Sequence, residues 1–409
     1  MTDAPPQGTA TAAPAPRRGL LLCLSHLRWD FVFQRPQHLL TRAARRGFDV
    51  VFLEEPIFGA ETTRLETRTT PEGITIAVPH LPHGADAPAA QRAMLDALVA
   101  SRRGGRLIAW FYTPMALSFA AHLRPDLTVY DCMDELSLFR GAPPELLENE
   151  RALLARADLV FTGGRSLFEA KRGRHASVHC FPSSIDAPHF RAARDGGTEP
   201  ADQAGIPRPR IGFFGVIDER MDIPLVGALA AARPDWSFAM LGPVVKIDQA
   251  ELPRLPNLHW LGAKRYAGLP QYLAGWDAGF MPFARNESTR FISPTKTPEF
   301  LAAGLPLVST PITDVVRDWG AEGAGLVAVE EDAAGFARAI GRMLAEDAGT
   351  RAAWRARVDR ALATLSWDRT WSAMEALMEQ ALSGTATTTA AAPRPAAATT
   401  SPALVRSAP

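Results

Sequence analysis

The chain has 409 residues, with 44 basic and 44 acidic side chains, so its formal net charge is zero. This balance argues against a general nucleic-acid-binding protein, whose phosphate contacts require an excess of basic residues. The three cysteines, Cys23, Cys132 and Cys180, lie far apart and form neither a metal-ligand motif nor a disulfide framework. A reducing cytosol is therefore the expected compartment. No uncharged apolar run reaches the roughly 18 residues that a transmembrane helix needs.

Both ends of the chain are predicted to be disordered. Residues 1–18 are mostly small, polar or proline residues, and they lack the basic and apolar regions of a signal peptide. Residues 384–409 are rich in alanine, threonine and proline, with almost no large apolar side chain. Such segments bury too little surface to offset the entropy lost on ordering.

From residue 19 onward, short apolar runs alternate with helical patterns. The first series of predicted strands covers residues 19–25, 49–56, 106–112, 127–133, 157–163 and 177–183. The predicted helices between these strands are residues 36–46, 89–101 and 144–156. Continuous apolar strands separated by helices are typical of a parallel sheet covered on both faces, which predicts an α/β protein.

A polar, glycine- and proline-bearing stretch at residues 194–210 is predicted to be a linker. A second strand–helix series follows it, with predicted strands at residues 210–217, 237–243, 258–262, 278–283, 305–311 and 325–329. We therefore predict two Rossmann-like domains, residues 19–200 and 201–366, that face a central cleft. A last helix at residues 367–383 could cross back to the first domain. Ligands of open α/β sheets bind beyond the carboxyl ends of the strands, so the cleft is the expected site.

Several common motifs of α/β enzymes are absent from the sequence. No G-x-G-x-x-G follows a first strand, and the second series opens with Gly212-Phe-Phe-Gly215, which is too short and bulky for that loop. Neither a P-loop, nor H-E-x-x-H, nor G-x-S-x-G is present. A standard dinucleotide site, P-loop hydrolysis and serine hydrolysis are therefore disfavoured.

The most informative segment is a loop, residues 293–297, that leads into a short helix beginning near Pro298. A helix N-terminus presents free N–H groups to a phosphate, and Lys296 adds a full positive charge beside it. Glu299 in the first turn could accept hydrogen bonds from the two hydroxyls of a ribose. The alternative interpretation is that Glu299 only complements the helix dipole and that Lys296 is a solvated loop residue.

Residues 294–310 (PTKTPEFLAAGLPLVST) resemble the donor-nucleotide motif of the group 1 glycosyltransferases, which are retaining enzymes with a GT-B fold. FTGGRSLFEAK at 161–171 and CFPSSIDAPHF at 180–190 are similar to other family elements in the same order. The opening stretch 25–56 resembles a subgroup linked to bacterial surface polysaccharides of the teichuronic-acid type. The resemblance covers about residues 19–382.

The resemblance implies a nucleotide-diphosphate sugar as donor, a saccharide or lipid-linked acceptor, and neither a cofactor nor a metal. In the family pattern Glu299 binds the ribose hydroxyls and Lys296 binds the donor diphosphate. Gly215 allows the backbone to approach the phosphates, and Arg220, which is offset from the usual place, is a candidate phosphate ligand. The remaining candidate donor-binding residues are Arg290, Ser293 and Thr295.

Two departures from the family pattern concern catalysis. Phe291 occupies the place of a second glutamate, and Met133-Asp134 replaces a His-Asp pair at the end of an acceptor-side strand. The candidate catalytic residues are therefore Asp134, Asp131 and His26, although His26 could equally be a structural loop histidine. A nucleotide-sugar epimerase of GT-B fold and a binding protein that has lost catalysis remain alternative functions.

The N-terminal part of the chain is locally basic. Seven arginines accompany one aspartate there: Arg17, Arg18, Arg28, Arg35, Arg42, Arg45 and Arg46, with Asp30. A solvated surface is one interpretation of this pattern. A peripheral contact with the anionic inner face of the membrane, where a lipid-linked acceptor lies, is the other hypothesis.

Overall fold

The computed structural model describes residues 18–102 and 105–388 of the chain. Most of the two tails predicted to be disordered, residues 1–17 and 389–409, lies outside the described residues. The last helix continues past residue 383 and ends at Thr388.

The first sheet and its helices occupy the N-terminal half. Its elements are β1 (Leu20–Leu24), α1 (Arg35–Arg45), β2 (Asp49–Leu53), β3 (Ile57–Phe58), β4 (Arg64–Thr69), β5 (Thr75–Leu81), α2 (Ala87–Ser101), β6 (Leu107–Phe111), α3 (Leu117–Ala120), β7 (Leu127–Cys132), α4 (Leu146–Arg156), β8 (Leu159–Thr162), α5 (Arg165–Lys171) and β9 (Val178–Cys180). The strand order is β3-β5-β2-β1-β6-β7-β8-β9, and β4 pairs antiparallel with β5. All other pairs in this sheet are parallel.

The second sheet begins after the linker. Its elements are α6 (Ala187–Arg191), α7 (Ala201–Ala204), β10 (Arg210–Phe214), α8 (Ile223–Ala232), β11 (Ser237–Leu241), β12 (Leu258–Gly262), α9 (Leu269–Ala274), β13 (Ala278–Met281), α10 (Lys296–Ala302), β14 (Leu307–Ser309), α11 (Thr313–Asp318), β15 (Val327–Val329), α12 (Ala333–Ala345), α13 (Ala348–Leu362) and α14 (Trp367–Thr388). The order β12-β11-β10-β13-β14-β15 is wholly parallel.

The central strands are apolar because helices cover both faces of each sheet. Every residue of β1, β10 and β11 is buried, and each of these strands reads as an almost continuous apolar run. The predicted α/β class, with two such sheets facing a cleft, is therefore confirmed.

The last helix, α14, returns to the first domain. Trp367, Trp371, Met374 and Met378 are buried in the apolar core that contains β1, β6 and β8 residues. Trp371 stacks on Trp110 of β6 with ring centroids 6.2 Å apart. The described part of the chain therefore begins and ends in the same domain.

The two domains also touch directly at the cleft. The Asp314 carboxylate in α11 accepts hydrogen bonds from the backbone N–H groups of Arg165 (2.9 Å) and Ser166 (3.0 Å) at the start of α5. Flanking ion pairs join Arg165 to Asp318 at 2.8 Å and Arg317 to Glu169 at 2.6 Å. A carboxylate of the second domain thus caps a helix of the first, which holds the two domains together on this side.

Candidate functional site

The cleft between the carboxyl ends of the two sheets encloses about 1410 Å³, including space open to solvent. On the second domain it is lined by the turns after β10, β11 and β13 and by the start of α10. On the first domain it is lined by the loop before α1 and by the residues that follow β7 and β8. This is where parallel α/β sheets bind ligands.

Lys296, Glu299, Ser293 and Thr295 all line this cleft, as the sequence predicts. Lys296 is the first residue of α10, and Glu299 lies one turn later. Both side chains therefore project from the helix end that favours an anion.

Gly215 brings the backbone close to Lys296. Its φ is +140°, a value that L side chains rarely adopt, and a Cβ atom there would overlap Cε of Lys296. The turn after β11 packs on it in the same manner, because a Cβ atom at Gly242 would overlap the carbonyl oxygen of Gly215. Two glycine turns thus make room for the lysine and for any group that binds beside it.

Lys296 and Glu299 lie in a poor environment for isolated charges. Burial raises the pKa of Glu299 to about 8, and the nearby positive charge of Lys296 opposes that rise. Burial also lowers the pKa of Lys296, and the Glu299 carboxylate opposes that shift. A ligand that brings an anion to Lys296 and hydroxyl donors to Glu299 would favour the charged forms of both.

Arg220 also lines the cleft, and a carboxylate holds it there. Its Nε lies 3.0 and 3.1 Å from the two oxygens of Asp218, and its Nη2 lies 2.7 Å from Oδ2. Its Cζ lies 5.4 Å from the centroid of the Phe139 ring of the first domain. The bidentate pair fixes the direction of the guanidinium group, whose charge is partly balanced by Asp218.

Of the three candidate catalytic residues, only Asp134 lines the cleft. Burial raises its pKa to about 6, and the positive charges of Arg220, Lys296 and Arg35 oppose the rise. The next residue, Glu135, forms an ion pair with the buried Lys171 at 2.6 Å. Lys171 also pairs with Glu150 at 2.6 Å, so a buried network supports the loop that carries Asp134.

The structure places Asp131 and His26 away from the cleft lining. Asp131 is fully buried and forms a bidentate ion pair with Arg35, with distances from 2.8 to 3.1 Å. Burial and the charge of Lys246 lower the pKa of His26 to about 4. A hydrogen bond with the Tyr112 backbone opposes this shift. In its environment His26 is a neutral, enclosed imidazole.

Arg290, a candidate donor ligand, does not line the cleft either. It is exposed, with Nη1 3.5 Å from the Glu287 carboxylate and Cζ 5.1 Å from the ring of Phe291. The charged groups of Glu287 and Arg290 therefore face solvent.

An aromatic contact across the cleft was not predicted from the sequence. Phe33 of the first domain stacks on Tyr266 of the second, with ring centroids 4.4 Å apart. His189, after the first sheet, stacks on the other face of Tyr266 at 4.3 Å. Phe33 and Tyr266 line the cleft, but Phe33 lies in the loop before α1 and Tyr266 begins a three-residue 3-10 helix, and periodicity gives no signal in either.

The described residues contain neither a metal-ion site nor a membrane-spanning helix. No group of three or more histidine, cysteine, aspartate or glutamate side chains there could hold a metal ion. No helix of that part of the chain is both long enough and apolar enough to cross a bilayer.

Comparisons with known proteins agree with this geometry. Residues 208–346 match the family model described as "Glycosyl transferases group 1". Over 239 residues, 53% of this chain, the sequence is 28% identical to the Bacillus subtilis (strain 168) protein TuaH, which is assigned by its name to teichuronic acid biosynthesis as a glycosyltransferase. The matched region spans 59% of that relative, which is less than two thirds of its length.

The fold is shared with solved glycosyltransferase structures at low identity. Sucrose-phosphate synthase from Thermosynechococcus elongatus is 16% identical, with a TM-score of 0.69, and the match covers 90% of this chain and 100% of that one. An E. coli trehalose-6-phosphate protein bound with UDP-2-fluoro glucose is 15% identical, with a TM-score of 0.64, covering 88% and 99% of the two chains. The chain therefore has the GT-B fold, and its residues 208–346 are similar to the group 1 glycosyl transferases.

Proposed function

We propose that this protein is a glycosyltransferase that moves a sugar from a nucleotide-diphosphate donor to a saccharide or lipid-linked acceptor, with retention of anomeric configuration. The observation that carries the proposal is the placement of Lys296 and Glu299 on the first turn of α10, against the Gly215 turn, in the cleft between the domains. One side chain suits a diphosphate and the other suits vicinal ribose hydroxyls.

In this proposal the bond from the anomeric carbon to the diphosphate oxygen breaks, and its electron pair stays on the diphosphate. Lys296, Arg220 and the N-terminus of α10 stabilise the charge that develops there, so that the protein's own residues supply the positive field and neither a metal nor a cofactor is proposed. The acceptor oxygen bonds to the anomeric carbon, and the departing phosphate takes the acceptor's proton. Asp134 is proposed to contact the transferred sugar or the acceptor.

The proposed nucleotide is UDP, and the proposed pathway is bacterial surface-polysaccharide synthesis in the cytoplasm. Support for UDP comes from the E. coli structural neighbour bound with UDP-2-fluoro glucose. Support for the pathway comes from the likeness to TuaH.

Several of the N-terminal arginines that suggested a peripheral membrane contact are paired with carboxylates in the structure. Acidic residues of α14 pair with three of the arginines at that edge: Arg42 lies 3.0 Å from Asp368, Arg46 lies 3.9 Å from Glu375, and Arg18 contacts both Glu375 and Glu379. Arg35 is buried with Asp131. These arginines are already neutralised within the chain, so our proposal does not rest on this edge.

Isothermal titration with UDP tests the donor site. We expect Lys296→Met and Glu299→Gln each to weaken UDP binding at least tenfold, because each loses a charged partner of the nucleotide. Arg285→Met and Glu287→Gln are matched controls, since both side chains are exposed and lie outside the cleft lining. Equal affinity in all five proteins would contradict the proposed site.

A second candidate function is a nucleotide-sugar-binding protein without turnover, which is favoured by Phe291 in place of the family's second glutamate. An assay of UDP-sugar hydrolysis, in which the released UDP is measured, separates the two candidate functions. Tight UDP binding with no hydrolysis and no transfer to any acceptor would favour this alternative.

A further inference from the structure

A second cavity lies on the other side of the C-terminal domain and shares no lining residue with the cleft. It encloses about 780 Å³, including space open to solvent. Four arginines line it, Arg194, Arg208, Arg351 and Arg355, against a single carboxylate, Asp277. The cavity is thus strongly biased towards positive charge.

Three of these arginines have partners. Arg208 Nη2 lies 2.6 Å from Asp277, Arg351 Nε lies 3.3 Å from Glu346, and Arg194 Nη1 lies 3.0 Å from Asp359. Asp359 is shared, because Arg191 also lies 3.1 Å from it. Four arginines therefore share three carboxylates, and Arg355 adds a fifth positive charge, which leaves a surplus of two positive charges.

Among the described residues, Arg355 is the arginine of this cavity that forms no ion pair. Its Nε is buried and has no hydrogen-bond partner among the described residues. Its Nε and that of Arg194 converge on Gly304, where a Cβ atom would lie 3.1 and 3.2 Å from them. Burial and the charges of Arg194 and Arg351 lower the pKa of Arg355, and the Asp359 carboxylate opposes this shift.

Burying a guanidinium donor without an acceptor is unfavourable, and an anion in the cavity would remove that cost. Converging guanidinium groups match the planar, bidentate geometry of phosphate recognition. A phosphate dianion would also neutralise the surplus of two charges. The cavity has more room than inorganic phosphate needs, which suits a small phosphate ester.

We propose that this arginine cavity is a binding site for a phosphate dianion, and in particular for a small phosphate monoester, separate from the donor site. Arg194 connects it to the donor side, since its Nε donates to the carbonyl of Ala302 (2.7 Å) at the end of α10. The site thus lies at one end of the helix whose other end carries Lys296.

Thermal unfolding in inorganic phosphate, compared with chloride at equal ionic strength, tests the proposal. We expect a saturable rise in midpoint of a few degrees in the wild type and in Lys296→Met, but none in Arg355→Met or Arg355→Gln. Arg360→Met is the matched control, being exposed on the same helix and outside the cavity, and it should keep the full rise.

Arg355→Met should fold at least as well as the wild type without phosphate, because the substitution removes like-charge repulsion. A rise that survives in both Arg355 variants and disappears in Lys296→Met would place the phosphate in the cleft and overturn the proposal. No rise in the wild type would overturn it as well. Neither result bears on UDP binding, which is measured separately.

Discussion

Two carboxyl groups in the cleft have pKa values raised mainly by burial, Glu299 to about 8 and Asp134 to about 6. Both face cations, so the rise means that desolvation outweighs the attraction to those cations. A donor that brings its own charges and hydroxyls would change this balance more strongly than any protein contact. These two carboxyl groups therefore favour a polar ligand in the cleft.

At Asp134 the raised pKa predicts a pH-dependent stability. Because the folded-state pKa lies above the ordinary value of 3.8, the folded protein binds more protons between about pH 4 and pH 6, and stability falls as pH rises through this window. We expect Asp134→Asn to be more stable than the wild type by about 1–2 kcal/mol above pH 6, with the difference vanishing near pH 4. Urea unfolding of both proteins at four pH values measures it, and a difference independent of pH would contradict the prediction.

At the level of secondary structure, the Arg35–Asp131 pair joins α1 to β7. Both side chains are almost fully buried. We expect Asp131→Ala to destabilise the protein by about 3–5 kcal/mol, because it leaves the Arg35 charge buried without its partner.

The double variant Arg35→Met/Asp131→Leu should recover most of that loss, since the two effects are coupled. Denaturant unfolding of the single and double variants gives the comparison. If Asp131→Ala kept wild-type stability but lost turnover, Asp131 would be catalytic and this structural role would be wrong.

Much of the fold could be predicted from the sequence, because buried parallel strands are continuous apolar runs such as Leu20–Leu24. The strand Arg64–Thr69 was missed, since it lies at the edge of the first sheet and its side chains are polar and mostly exposed. Position at a strand end also predicted which residues approach the cleft, but not where each side chain points. Asp134 lines the cleft, whereas Asp131, within β7, is buried in its pair with Arg35.

Lys296 and Glu299 were predictable because a helix start and a proline-bearing loop leave a local pattern in the sequence. The stacking of Phe33 on Tyr266 was not, since it joins two loops more than two hundred residues apart and depends on how the domains meet. The buried Lys171–Glu135 pair likewise had no signal, because a lysine is usually solvated.

For the whole molecule, the contact between α5 and α11 defines a closed arrangement of the domains. Gly164 precedes α5 and has an extended backbone that any residue can adopt. A glycine is needed there because a larger side chain would not fit. A Cβ atom there would lie 2.5 Å from Asp314 Oδ2 and 2.7 Å from Ser293 Cβ of the other domain.

We expect Gly164→Ala to cost the closed arrangement about 1–3 kcal/mol through this overlap, and to lower kcat about tenfold. Small-angle X-ray scattering with UDP should show a larger radius of gyration than in the wild type. Gly173→Ala is the control, because a Cβ atom at Gly173 meets nothing within 4 Å. Equal scattering and turnover in both variants would show that this contact does not govern closure.

The return of α14 to the first domain also determines when the core of that domain is completed during translation. Trp367, Trp371 and Met378 complete a core whose other members leave the ribosome more than two hundred residues earlier. The apolar surface of the first domain that α14 covers therefore stays exposed until the second domain and α14 have been translated. This apolar surface of the nascent chain is therefore open to aggregation for about half of its elongation.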